Sequence, residues 1–458
     1  MKNATTAKHT GIDMTAGEVL PALLAFSIPT VIGNLLHQVY SITDSIVVGR
    51  ILGVQSLAAI GSTMPIVLLL AALVIGVNIG VSILLSQAFG MHDMALMRRS
   101  FANSLYLGAA LSVLIGVVGS FTARPILVLM GTPAGPLEEA VAYLRINFLT
   151  TLCPMLYYLL SCAYRGLGDS RTDLYCLIVS VASNIVLDVL FVAVFHWGVA
   201  GTAWATALAQ FMSASFAALL LWRKYPEMRL TKEAARLDTR ILRRIGALAV
   251  PIALQTAFNN LGSLVAQAAV NLFGTVAMAA YTAAGRVGTL ALVPLEAMGS
   301  SVSVFTGQNY GAGKHGRIRE GLRAGMLLEL GVALVLGVLL LFFGRAVTTL
   351  FLTDASVELL SMANGYLLIT AVPSFLAAMM IVYQQTLRGV GRTRDSMIGG
   401  VVQLAVKVLV ILIGAYALHS MPVMWLGWPL SFAAAAFYLY RCWKRYEKTD
   451  SSGKEKDA

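Results

Sequence analysis

The feature that most limits the fold of this chain is a series of long apolar runs separated by short polar segments. Twelve of these runs reach about 20 residues, the length that an α-helix needs to cross a bilayer. Only 12% of the 458 residues are charged, whereas soluble domains carry about 25%. The sequence therefore predicts an all-α polytopic membrane protein with twelve transmembrane helices.

The predicted spans follow one another with short connections, and their boundaries are read from the apolar runs. They cover approximately residues 20–43, 56–86, 100–121, 138–162, 173–195, 199–222, 243–268, 277–306, 321–343, 356–385, 396–418 and 421–441. An even number of spans places both ends of the chain on the same side of the membrane.

The basic residues predict which side that is. Most of the 33 Lys and Arg residues fall in the even-numbered loops and in both tails. Because positively charged loops face the cytoplasm, we expect an inner (plasma) membrane protein with both termini cytoplasmic. The net charge of +11 is spread over short loops rather than one surface, which argues against a nucleic-acid partner.

Four motifs recur in the same order in both halves, at an offset of 221 to 223 residues. The pairs are Ser27-Ile28-Pro29 with Ala249-Val250-Pro251, residues 53–59 with 274–280, Gln87-Ala88-Phe89-Gly90 with Gln308-Asn309-Tyr310-Gly311, and residues 165–171 with 388–394. Such self-similarity indicates two copies of one structural unit.

The repeat predicts two six-helix lobes related by a pseudo-two-fold axis along the membrane normal, as in transporters that rock around a central cavity. The predicted organisation is a cytoplasmic tail (1–19), an N-lobe (20–222), a cytoplasmic linker (223–242), a C-lobe (243–443) and a disordered cytoplasmic tail (444–458).

Polar residues inside the spans mark the candidate site. Asn184 and Asp188 are one helical turn apart in the fifth span, and Asp44 lies in the first. A carboxylate within a membrane helix is costly unless it is paired, hydrated or protonated, so such residues are functional candidates. We expect the two acids to share one cavity and to bind a coupling cation.

Together these motifs resemble the multidrug and toxic compound extrusion (MATE) family over essentially the whole chain. The carriers are the early Pro29, the context of Asp44, the two Gln-containing motifs, both Arg-Gly-x-Gly turns and, most specifically, Asn184-x-x-x-Asp188. Within the family the chain is similar to the prokaryotic DinF-like branch. The resemblance implies two lobes around a V-shaped cavity, and export of organic cations and drugs against inward H+ or Na+.

The resemblance also implies a cation site in the N-lobe formed by Asp44, Asn184, Asp188 and Thr206. Two carboxylates near each other favour a shared proton, and carboxylate, amide and hydroxyl oxygens also suit Na+. Sequence leaves the choice between H+ and Na+ open. The chain departs from the other branch, which uses acids in its C-lobe.

Further polar positions are candidates for the substrate cavity: Tyr40, His37, Gln255, Glu296 and Lys407. Pro29 and Pro251 are candidate hinges, because proline removes a helical hydrogen bond. No phosphate-loop motif of the ATP-binding type occurs, so we expect no cofactor and an ion gradient as the energy source. The expected partners are small organic cations or drugs and membrane lipids, and the expected state is a monomer.

Several alternatives remain open from sequence. Asn184 and Asp188 could form a structural polar clamp between helices. The protein could be a flippase for a lipid-linked precursor, for which cationic residues such as Lys407 would suit an anionic headgroup. A non-transporting membrane scaffold is a further alternative. An enzyme is the least favoured class, since no nucleophile and base stand out.

Overall fold

The computed structural model describes residues 11–349 and 356–454, without the side chains of 41–48, 50, 54, 55 and 450–454. The described residues form helices and their connections, with no strand. The helices are α1 (Val19–Val47), α2 (Gly53–Gly90), α3 (Met94–Leu129), α4 (Ala134–Leu149), α5 (Leu152–Gly166), α6 (Ser170–Asp188), α7 (Gly198–Lys224), α8 (Thr239–Asn271), α9 (Thr275–Gly311), α10 (His315–Thr349), α11 (Val357–Thr370), α12 (Ser374–Gly389), α13 (Thr393–Leu412), α14 (Met421–Trp425) and α15 (Gly427–Lys454).

In the described part of the chain, ten helices are long and apolar enough to cross a membrane, or up to twelve spans when two bent pairs each count as one. The bent pairs are α4 with α5, at 43°, and α11 with α12, at 42°. Proline lies at both breaks, Pro154 in the first turn of α5 and Pro373 before α12, and a proline cannot donate to the preceding turn. The predicted all-α polytopic fold is confirmed.

The backbone repeats itself beyond the sequence motifs. A π-helical segment, Val189–Val194, continues α6, and another, Ile413–Ala417, continues α13. A left-handed residue follows each segment: His196 at φ 54° and His419 at φ 47°. The two histidines are 223 residues apart, the offset of the last sequence motif, so both halves use the same irregular ending.

The chain forms two compact units, each with its own packing. Within the described residues, the first unit contains 11–63, 81–242 and 307–318, and the second contains 64–80, 243–306, 319–349 and 356–454. These units follow the predicted lobes except at 64–80 and 307–318. In the second unit, a Cβ on Gly76 of α2 would lie 2.6 Å from Ala253 Cβ of α8, so the two helices approach closely there.

The recurring Gln-containing motifs form a helix crossing within the first unit. A Cβ on Gly90 would overlap the carbonyl oxygen of Gln308, and one on Gly311 would overlap that of Gln87. Each glycine therefore lets the other motif's backbone approach, and a larger residue would force the helix ends apart. The Gln308 side chain bridges further, donating to Gly166 O at 3.1 Å.

Both predicted tails contain ordered structure. Met14 is fully buried, its backbone N–H donates to Gln308 Oε1 at 3.1 Å, and its carbonyl accepts from Asn309 Nδ2 at 3.1 Å. At the other end α15 continues to Lys454, so residues 444–454, predicted to be disordered, are helical. The residues Trp443 and Tyr446 stack there with ring centroids 5.3 Å apart, which supports the extra turns.

Candidate functional site

The polar residues of α6 lie on a single stripe that faces protein. Its buried positions recur every four residues and include Cys176, Ser180, Asn184 and Asp188. The other side of the helix is apolar and accessible, with Ile178 43% and Val186 65% exposed. This reverses the pattern of a soluble helix, because lipid solvates the apolar side and the protein interior holds the polar side.

Three helices bring polar groups together in the first unit. Asn184 of α6 donates its Nδ2 to Thr206 Oγ1 of α7 at 3.3 Å. The hydroxyl of Tyr40 in α1 shares a hydrogen bond with the same Thr206 oxygen at 3.2 Å. The packing of α1 and α7 against α6 produces this meeting. Thr206 is thus the shared partner of two predicted site residues.

A small polar recess lies at this junction. Its lining includes His37, Tyr40, Tyr157, Tyr158, Ser180, Asn184, Thr206 and Gln210. It has room for about one water molecule, so it suits a hydrated proton or a small cation rather than a drug. The Oδ1 of Asn184 is buried and has no hydrogen-bond partner among the described protein atoms, which leaves one oxygen available as a ligand.

Asp188 belongs to the same stripe, one turn beyond Asn184, and is 1% exposed. The side chain of Asp44 lies outside the described residues, so the meeting of the two acids stays a prediction. Among the described residues no group of three or more His, Cys, Asp or Glu could hold a metal ion. The oxygens of Asn184, Thr206, Tyr40 and Asp188 are hard ligands of the kind that suit H+ or Na+.

The candidate substrate residues separate into accessible and occupied ones. His37 is exposed, and its ring lies 5.5 Å from that of Tyr40. Gln255 is 1% exposed, and its Oε1 accepts from Arg388 Nη2 at 2.8 Å and Ser396 Oγ at 3.1 Å. Its amide oxygen is therefore committed to internal hydrogen bonds and offers little surface to a ligand.

Lys407 and Glu296 differ in the same way. Lys407 is 7% exposed, and its Nζ lies 5.7 Å from the centroid of the Trp428 ring, a cation–π geometry. Glu296 of α9 is exposed and remains accessible to a solute. Of the two candidate hinges, Pro29 lies within α1 and Pro251 within α8, both inside continuous helices.

Sequence reasoning overlooked one buried acid. Glu329 of α10 is fully buried, although it lies in the middle of the ninth predicted span between Leu328 and Leu330. The signal was present, since a lone acid in an apolar run is a functional candidate by the rule applied to Asp188. Arg388, read as part of a tight turn, is 7% exposed and belongs to the same unit.

Comparison with known proteins identifies the family of this arrangement. The MatE family pattern matches residues 29–190 and 251–414, one match in each half of the chain. The probable multidrug resistance protein YoeA of Bacillus subtilis (strain 168) is 30% identical over 439 residues, covering 93% of this chain and 94% of that protein. The multidrug export protein MepA of Staphylococcus aureus (strain bovine RF122 / ET3-1) is 24% identical, covering 89% and 90%.

Solved structures share the fold over nearly the full chain. A MATE transporter in complex with MaL6 has a TM-score of 0.91 at 23% identity, covering 97% of this chain and 99% of that one. A transporter of the MOP superfamily from Pyrococcus furiosus, described as having a binding pocket of reverse polarity that suggests a different function, has a TM-score of 0.89 at 23% identity, covering 96% and 98%.

Proposed function

The chain belongs to the MatE family and is a multi-pass membrane transporter rather than an enzyme, and on that basis we propose that it exports cationic and amphipathic drugs by antiport against H+ or Na+. Two relatives named for multidrug resistance and multidrug export support the substrate class. We propose that the protein is a monomer in the plasma membrane. Its basic loops favour an orientation with both termini in the cytoplasm.

The observation that carries the proposal is the polar recess of the first unit. Asn184, Thr206 and Tyr40 meet there through hydrogen bonds of 3.2 and 3.3 Å, and Asp188 lies one turn away on the buried stripe of α6. A recess with room for about one water molecule selects a cation over an organic molecule. The ion and the drug are therefore proposed to bind at different places.

Antiport then requires only that the two ligands favour different conformations. The cation binds one conformer more tightly and the drug binds the other. Each ligand therefore shifts the population toward the conformer that the other binds less well. One elementary charge that crosses the membrane field supplies about 2.3 kcal/mol per 100 mV. In this scheme Asp188 holds the cation, while Asn184 and Thr206 contribute neutral oxygens and fix its position.

The test is ethidium export from cells or inverted vesicles, under an imposed pH gradient and then an imposed sodium gradient. Asp188→Asn is expected to abolish gradient-driven export while the protein remains folded in the membrane. The gradient that drives the wild type identifies the ion. Glu138→Gln is the matched control, because it removes a carboxylate whose side chain is 69% exposed.

Unchanged export by Asp188→Asn would remove this residue from the mechanism. A second candidate function, translocation of an anionic lipid-linked precursor, is favoured by one observation, the buried cation of Lys407. Wild-type vesicles that translocate such a lipid and export no ethidium would decide for it.

A further inference from the structure

A buried acid lies in α10 of the second unit. Glu329 is fully buried, and neither carboxyl oxygen has a hydrogen-bond partner among the described protein atoms. An ionised carboxylate without partners is very unfavourable in an apolar interior, and such a group takes up a proton instead. Burial and missing partners together indicate that Glu329 is held in its neutral form.

The helix beside it provides space for this carboxyl and a second acid. A Cβ on Gly299 of α9 would lie 3.2 Å from Glu329 Oε1, so the absence of a side chain at Gly299 accommodates the carboxyl. Glu296 precedes Gly299 by three residues, which places both on one face of α9. Glu296 and Glu329 interact electrostatically. Glu296 is exposed at the protein surface, whereas Glu329 is fully buried.

One cation acts on Glu296, the exposed member of the pair. Arg388 of α12 interacts electrostatically with Glu296. Its guanidinium is held in place by Gln255 Oε1, at 2.8 Å from Nη2, and by Ser396 Oγ, at 3.0 Å from Nε. Both of these partners are neutral, from α8 and α13, so the positive charge of Arg388 is left for Glu296.

Burial and the position of Arg388 decide which acid holds the proton. Glu329 is fully buried and its carboxyl oxygens have no hydrogen-bond partner among the described protein atoms, which favours the neutral form whether or not Glu296 is present. The arginine stabilises the ionised form of the accessible Glu296, which leaves the proton on the buried Glu329.

We propose that Glu296 and Glu329 form a second proton-binding site, in which Glu296 exchanges the proton with solvent and Glu329 stores it. The proton moves from water to the Glu296 carboxylate and then to Glu329, and it leaves by the reverse route. This inference rests on the proposed antiport only for its use in transport. The proton itself can be detected without any substrate.

Infrared spectroscopy of the purified, reconstituted protein tests the site. A band of a protonated glutamate, identified by its shift on [13C]glutamate labelling, is expected in the wild type near neutral pH and is expected to be lost in Glu329→Gln. Glu320→Gln, an exposed acid on the same helix, is the matched control and keeps the band. Labelling the wild type with [13C]glutamate must shift the band, and this result does not depend on whether a variant folds.

The role of Glu296 has its own readout. Glu296→Gln is expected to keep the band but to slow its response to a rapid change of pH or to deuterium exchange, because the accessible relay is missing. A wild type without the band, or a band that survives in Glu329→Gln, would overturn the proposal. Equal exchange rates in wild type and Glu296→Gln would overturn the relay.

The two proposals fail separately. Asp188→Asn is expected to lose export and to keep the glutamate band, since it lies in the other unit. Loss of wild-type ethidium export with an intact glutamate band would reject the antiport and retain the proton site. Normal export with no band in any form of the protein would do the opposite.

Discussion

The two halves of the chain share their backbone and differ in their charges. Both use a glycine at a close helix crossing, Gly90 and Gly311, and both end a helix with a π-helical segment and a left-handed histidine. Arginine is retained at matching positions such as Arg165 and Arg388, whereas the acids of the first half, Asp169, Asp173 and Asp188, have no acid at the matching positions of the second. Backbone geometry is thus common to both units, whereas electrostatic function has become specific to each one.

The equivalent arginines illustrate the difference. Arg165 in the first unit and Arg388 in the second are 223 residues apart. Arg165 Nε of α5 lies 3.8 Å from Asp173 Oδ2 of α6, the next helix along the chain. The position matching Asp173 is Ser396, which gives Arg388 a hydrogen bond at 3.0 Å but no negative charge. In the second unit, the acid that interacts with the positive charge of Arg388 is Glu296, which lies on a different helix, α9.

The helix starts have diverged in the same way. Asp169 caps α6, where its Oδ2 accepts from Lys224 at 2.6 Å, Thr172 at 2.6 Å and Tyr225 at 2.8 Å. The matching position before α13 is Arg392, which makes no side-chain cap. Burial by itself raises the pKa of Asp169, but the three donated hydrogen bonds outweigh it, so the pKa lies below its ordinary value.

The largest expected effect comes from removing the local acid of the first unit. Asp173→Ser introduces the residue found at the matching position of the second unit and removes the ion pair between Asp173 and Arg165. We expect a loss of about 3 kcal/mol in stability, near the lower end for a broken buried pair, because each side chain keeps 19% exposure. The measurement is the thermal unfolding midpoint in detergent. The reverse change, Ser396→Asp, is expected to be tolerated, and equal losses from both would contradict the comparison.

The helix crossing at Gly90 and Gly311 tests whether the two halves share their backbone geometry. Gly90→Ala and Gly311→Ala should each lower stability by about 3 kcal/mol, at the upper end for overpacking, since each new methyl group meets a backbone carbonyl. Reciprocal contacts predict similar losses in the unfolding midpoint. Gly285→Ala, in α9 with open space around it, is the control and should be neutral or stabilising. Very unequal losses would show that the crossing is not symmetric.

A pH-dependent effect is expected at the cap of α6. Because the pKa of Asp169 is lowered in the folded state, its stabilisation is present above 3.8 and is lost as the pH falls through the lower folded value. Asp169→Asn should cost about 2 kcal/mol at neutral pH, and the difference from wild type should shrink in acid. Unfolding midpoints measured across pH check this. Arg392→Gln should show no comparable pH dependence, and a constant difference for Asp169→Asn would count against the hydrogen-bond explanation.

The smallest effect is expected at Lys407, which occupies the position matching Asn184. Lys407→Met keeps the side-chain volume and removes the buried ammonium group with its cation–π contact. The lost contact and the relieved burial of a charge oppose each other, so stability should change by about 1 kcal/mol or less. Gradient-driven ethidium export should persist, whereas Asn184→Met should reduce it. If Lys407→Met stops export in folded protein, ion coupling is not confined to the first unit's position.

Much of the fold could be predicted because hydropathy and repetition are local properties. In the part of the chain that the structure describes, the apolar runs agree with ten long helices, or with up to twelve spans when each bent pair counts as one. The four-residue spacing of Asn184 and Asp188 placed them on one buried stripe of α6. The same reasoning applied to Glu329 would have identified the buried acid of α10.

The sequence alone determined that the chain is a helical membrane protein built from two repeats, since apolar length and periodicity are set residue by residue. Only the tertiary structure decided which polar side chains meet. Arg388 and Gln255 are 133 residues apart, and Tyr40 and Thr206 are 166 apart. Such contacts depend on how each helix is rotated against its neighbours, and that rotation results from packing across the whole unit. Gln255, a candidate ligand by sequence, therefore lies in an internal hydrogen-bond network. Glu329 is fully buried, and its carboxyl oxygens have no hydrogen-bond partner among the described protein atoms.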